Sequence, residues 1–206
     1  MDAALRAGIA LYNDGEYHAA HDPWEDVWLG LSDGTDDERF LHGLVQLTAA
    51  IHHARTRNWS GAAGLADSAG DYFDGLDSPY RGVAVAPLRR ALATLAADPA
   101  VAERRRPPPI RHEGHVLELA DLRFEAAAEA AAALAAEYDY DAEVVDRAVA
   151  FAREEIEGGE RTLFTTTLLE FVTATAHRDL VYRRLAEHVE RRDREYTDVD
   201  GLFETE

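Results

Sequence analysis

Between Gly15 and Trp28 the chain reads GEYHAAHDPWEDVW, a short stretch that gathers two histidines, several carboxylates, a tyrosine and two of the three tryptophans. On a helix turning about 100° per residue, Tyr17, His21, Trp24, Glu25 and Trp28 share one face. His21 and Glu25 stand four residues apart. That spacing lets an imidazole and a carboxylate converge on one divalent metal ion, or lets the carboxylate orient the ring of a general base. The tryptophans beside them would exclude water and make any charge felt more strongly.

A second polar line, His42, Gln46 and His53, lies downstream beside the small residues Gly43, Ala49 and Ala50, which permit close approach of another helix. If the two lines face each other, His21, Glu25 and either His53 or His42 form a metal site of nitrogen and oxygen donors, with His21 and Glu25 catalytic and a metal-bound water as nucleophile. Read the other way, the same residues form a buried hydrogen-bonded network that fixes a helical bundle, and the protein is a non-enzymatic binding or scaffold module. Pro23 bears on the choice. Inside a helix it would remove a hydrogen bond, yet Asp22-Pro23-Trp24-Glu25 also reads as a helix start that leaves His21 outside and Glu25 as a capping residue.

Other candidates carry less. His112 and His115 lie three apart in a segment that reads as a solvated loop, and His52 and His53 are adjacent, so that only one of them faces any given site. Thr165, Thr166 and Thr167 read as a packed helix interface, with no base at a useful spacing.

Composition limits the chemistry. The chain has no cysteine, which removes disulfides, thiolate metal sites and a cysteine nucleophile. Its 206 residues carry 40 acidic and 21 basic side chains for a net charge of -19, and every basic residue is arginine. Such a balance argues against nucleic acid as a partner. The clusters Arg104 to Arg106 and Arg183, Arg184, Arg191, Arg192 and Arg194 are small, and the second is interleaved with acids. An acidic chain without lysine fits a halophilic host, where salt screens self-repulsion. No stretch has the length or apolarity of a membrane span or leader, so a cytoplasmic protein without membrane contact is expected.

The elements that must position these residues are helical. Periodicity predicts helices over about 2–13, within 17–30, over 36–57, from Ser60 as cap to about 76, and over 87–97. The third carries an apolar stripe of Phe40, Leu44, Leu47, Ile51 and Ala54. Residues 101–118, with Arg104-Arg105-Arg106 running into three prolines, read as a linker, and 115–119 as an isolated strand. Further helices are predicted over 121–138, 142–157, 161–176 and 178–195. The fold class is all-α: a helical bundle over 1–100 and a C-terminal helical extension over 119–206 that packs on the bundle or, in a homodimer, on a second copy.

The stretch GEYHAAHDPWEDVW, followed by FLHGLVQLTAAIHHARTRNWSGA, resembles the DUF309 family, whose hallmark is His-x-x-x-Glu-x-x-Trp, here His21, Glu25 and Trp28. The likeness runs through Gly43, Leu44 and Gln46 to Asn58, Gly61 and Ala62, over roughly residues 8–76, and departs at Pro23 and His42. It implies a small helical bundle of uncharacterised function and a metal-dependent hydrolase activity on an unknown small-molecule substrate.

The charge makes one prediction at once. Moving from about 0.1 M to about 1 M KCl shortens the Debye length from about 10 Å to about 3 Å, so the midpoint of thermal unfolding followed by circular dichroism rises. A flat or falling midpoint contradicts a fold strained by its own charge.

Overall fold

The computed structural model describes residues 1–159 and 163–203, with side chains to residue 196. Its described residues form ten α-helices, one 3-10 turn and a hairpin of two two-residue strands, so the fold is all-α. Contacts divide the chain into two compact units, Met1–Ala133 and Leu134–Glu206.

In the first unit, α1 (Asp2–Asp14) ends at Gly15, whose φ of 99° is the left-handed cap that a glycine adopts without strain. Next come α2 (His21–Trp28), α3 (Asp36–Arg55), α4 (Trp59–Phe73) and α5 (Val85–Ala97). The order of packing follows the order of the chain: α1 on α2, α2 on α3, α3 on α4 and α4 on α5.

Helix α3 is the organising element. Thr35 caps it by accepting the Glu38 N–H, Asp36, Asp37 and Glu38 fill its first turn, and His52, His53 and Arg55 its last, as the helix dipole favours. The predicted stripe of Phe40, Leu44, Leu47, Ile51 and Ala54 is fully buried. Each of its larger side chains contributes about 1.5–3 kcal/mol by leaving water. Gly43 admits α4 so closely that a Cβ there would stand 2.6 Å from the Phe73 ring.

Several boundaries differ from the sequence reading. The cap of α4 is Asn58, not Ser60, because the Asn58 side chain reaches the Gly61 N–H while the Ser60 hydroxyl turns back to Asn58. The proline-rich stretch begins with one helical turn, α6 (Val101–Arg104), and continues as an extended strap that docks on α1. The Asn13 side chain holds it, donating to the carbonyls of Ile110 and Leu117 and accepting the Ile110 N–H. The segment 115–119 does not supply a lone strand. β1 (Arg111–His112) and β2 (His115–Val116) pair antiparallel, turned by Glu113 and Gly114 with φ of 51° and 82°. His112 is consequently buried, not solvated, with Nδ1 3.4 Å from Arg6, while His115 is exposed.

After the 3-10 turn (Leu119–Asp121) comes α7 (Phe124–Glu137), inside which the division between units falls. In the second unit α8 (Ala142–Glu157), α9 (Leu163–Thr173) and α10 (Arg178–Phe203) pack on one another around Phe151, Phe164, Phe171 and Leu185. The start expected for α9, at residue 161, lies outside the described residues, as do residues 204–206 of the expected extension. Thr165 and Thr167 are buried and Thr166 exposed, as a helix interface requires. Glu155 caps α9, accepting from the Phe164 and Thr165 N–H groups and the Thr165 hydroxyl.

Two glycines separate close packing from backbone freedom. Gly8→Ala drives a Cβ to 2.3 Å from the buried Trp24 indole and lowers stability by about 1–3 kcal/mol. Gly64→Ala, mid-helix with nothing within 4 Å, raises it by about 0.5–1 kcal/mol. Urea unfolding of both variants checks the pair, and similar shifts of one sign contradict this packing.

Candidate functional site

Helix α2 begins at His21, after a series of turns that carries Tyr17 to Ala20. Pro23 is its third residue. The first N–H groups of a helix have no partner one turn back, so proline there removes no hydrogen bond. His21 is accordingly inside the helix, and Glu25 is not its cap. Tyr17 lies outside, buried edge-on against Tyr12 with the Arg55 guanidinium 5.3 Å from its ring centre. The single helical face predicted for residues 17–28 is thus shortened at its beginning.

The two tryptophans of α2 point to different neighbours. Trp24 is completely buried towards α1, where its indole N–H donates to the Leu5 carbonyl at 3.3 Å. Trp28 turns to α3 and donates to Glu38 Oε1 at 2.9 Å.

Glu38 is the residue that the sequence reading missed. His42 Nδ1 lies 3.2 Å from the same carboxylate oxygen and donates its proton there, since the carboxylate only accepts. The remaining ring nitrogen of neutral His42, Nε2, then accepts from the Gln46 amide at 3.1 Å. The chain of donors runs Gln46 to His42 to Glu38, with Trp28 arriving from the other helix. The His42 ring is held on both faces as well, 4.1 Å from the Trp28 ring centre and stacked at 3.9 Å on Tyr72 of α4. Gln46 Oε1 is buried without a hydrogen-bond partner.

Burial by itself would raise the Glu38 carboxyl, but the hydrogen bonds from Trp28 and His42 and from the Gly34 N–H outweigh it and hold the group below its ordinary range.

His21 sits one step away. The Thr48 hydroxyl donates its only proton to the Val45 carbonyl at 2.7 Å, so it accepts from His21 Nδ1, 3.2 Å distant. His21 Nε2 then faces Glu25 Oε1 at 3.5 Å, a pair partly open to solvent. His53 is elsewhere: its Nδ1 meets the Asn58 amide at 2.6 Å. His42 and His53 do share a face of α3, but eleven residues at about 1.5 Å each put them about 16 Å apart along the axis. The structure therefore joins His21 to Glu25 and His42 to Gln46, and brings neither pair to His53. Among the described residues no three His, Asp or Glu groups come together as a metal ion would need. With His21 Nδ1 and both nitrogens of His42 engaged, His21 Nε2 and Glu25 are the members of the expected donor set that stand together.

The span from Leu5 to Leu65 holds every member of this network except Tyr72. Residues 5–65 match the DUF309 family. That family is described as a domain of unknown function. The DUF309 match ends inside α4, short of the resemblance that runs to residue 76, and it covers most of α1 and all of α2 and α3. No curated protein matches the chain. Nor is any helix among the described residues long and apolar enough to cross a membrane.

Glu38 carried one legible signal, its i,i+4 spacing to His42, which its place in an acidic first turn concealed. Tyr72 carried none, because its contact with His42 crosses between helices.

The lowered Glu38 has a pH signature. Its folded value is below its ordinary one, so its stabilisation is complete above the ordinary value of 4.5 and is lost as pH falls through the folded value. Asp37, lowered chiefly by its hydrogen bond from Arg81, acts in the same sense. Between about pH 5 and pH 3 the unfolding free energy of Glu38→Gln falls less steeply than that of the wild type. Equal slopes in urea titrations at several pH values contradict an ionised, hydrogen-bonded Glu38.

Proposed function

We propose that the chain is a non-enzymatic helical binding module, in which the motif residues fasten α2 to α3. One observation carries this reading: Glu38, His42 and Trp28 satisfy each other inside the bundle, and His42 is closed between two aromatic rings. A catalytic base or metal ligand needs a free lone pair facing a substrate. His42 has none, since Gln46 occupies the last one. In this reading Trp24, bonded to α1, and Trp28, bonded to Glu38 of α3, set how α2 lies against its two neighbours. The arginine-only, acid-rich composition fits a protein of a salt-rich cytoplasm.

A metal-dependent hydrolase is the second reading. It is supported by His21 Nε2 and Glu25 Oε1, 3.5 Å apart and partly solvent-exposed. It requires a third donor from outside this pair.

Stability separates the two. Trp28→Phe removes a donor from a buried carboxylate and lowers stability by about 1–3 kcal/mol, equally with and without EDTA. Glu25→Ala, a partly exposed pair member, costs about 1 kcal/mol or less. If Zn or Mn instead raises the wild-type melting midpoint and fails to do so in His21→Ala and Glu25→Ala, the metal reading replaces the structural one.

A further inference from the structure

A cleft of about 380 Å³ opens between α3, α5 and the strap that follows α6. Its apolar wall is Leu47 and Ile51 of α3, Ala91 and Leu95 of α5 and Val101 of α6. Its rim is Arg90, Arg105 and Arg106. Past Ile51 and Arg106 it continues into a second hollow of about 350 Å³, which adds Arg55, Arg104 and Tyr17 together with the carboxylates Asp14 and Glu103.

The charge on this rim is only partly compensated, although the chain has nearly twice as many acids as bases. Two nearby carboxylates are taken by other arginines, Glu103 by Arg57 at 2.8 Å and Asp98 by Arg104, which leaves Asp14 as the acid of the second hollow. Arg90, Arg105 and Arg106 have no ion-pair partner among the described residues. At about 0.1 M salt the screening length is about 10 Å, so the distant acidic surface does little to cancel a local group of guanidinium ions.

The rim is also fixed. Pro107, Pro108 and Pro109 stiffen the backbone directly after Arg106, the Tyr12 hydroxyl donates to the Pro108 carbonyl at 3.3 Å, and Asn13 holds Ile110. Arginines set on a pinned segment lose less freedom when they close on a ligand.

We propose that this cleft binds a small amphipathic anion, a molecule with a carboxylate or phosphate head and a short alkyl body. The head is held by Arg105 and Arg106 with Arg90, whose planar guanidinium groups match both kinds of oxyanion. The body lies on Leu47, Ile51 and Leu95. The cleft's volume is that of a small-molecule site. This extends the binding-module reading by naming its ligand, yet the two fail separately, because Trp28→Phe tests the network and touches no residue of the cleft.

The test is calorimetric titration of the full chain with octanoate and with octyl phosphate, using octyltrimethylammonium and inorganic phosphate as controls. The expected result is saturable binding of at least one octyl anion, weakened about tenfold or more in Arg105→Gln/Arg106→Gln and abolished in Ala91→Trp, which fills the cleft. Whichever octyl anion binds more tightly identifies the head group. Arg105 and Arg106 are exposed, so their double variant keeps the wild-type melting midpoint, which certifies its fold if Ala91→Trp misfolds. The proposal is overturned if neither octyl anion binds, if the cationic amphiphile binds equally well, if inorganic phosphate binds as tightly as octyl phosphate, or if the arginine variant binds like the wild type.

Discussion

A carboxylate buried at the start of α3 sets the terms for the first unit. Glu38 tolerates its position because two donors from different helices, and a backbone N–H from the preceding loop, meet its oxygens. A charge in that place without them would cost several kcal/mol. The requirement propagates outward. Trp28 must end α2 at a fixed distance from α3, His42 must adopt the tautomer that donates through Nδ1, and Tyr72 must bring α4 against the other face of the ring. Shape in this bundle is therefore specified by polar geometry as well as by the apolar stripe beneath it.

The stripe was the legible part. Phe40, Leu44, Leu47, Ile51 and Ala54 repeat at helical spacing, and every one is buried. Local rules of this kind survive folding because they concern neighbours one turn apart. The site was legible only in angle. His42 and His53 fall on one side of α3 by rotation, but rise along the axis separates them, and a helical-wheel projection discards rise. Glu38 was hidden because an acid in a first turn has an adequate local explanation. Nor could the docking of the proline strap be read locally. Asn13 lies nearly a hundred residues from Ile110 in sequence, and no periodicity records such a bond.

The matched family segment and the arginine-rimmed cleft overlap only in part. Tyr12, Leu47, Ile51 and Arg55 lie inside residues 5–65, whereas Arg90, Arg105, Arg106 and the prolines lie beyond. One wall of the cleft thus belongs to the shared domain and the other to the part of the chain that the family description does not reach. A substitution in the strap can therefore alter what the cleft accepts while leaving the bonds of the helical frame alone.

The Asn13 clasp also orders events in time. Its three partners belong to Ile110 and Leu117, so α1 leaves the ribosome with the Asn13 side chain uncommitted and stays so until those residues have been made. Closing so long a loop carries an entropic cost that grows slowly with length but is incurred before the contact forms. Helices α2 to α5 pack with their sequence neighbours and meet no such delay. The strap is therefore a late step in assembling the first unit, and a chain stopped short of residue 110 holds helices α1 to α5 without their latch.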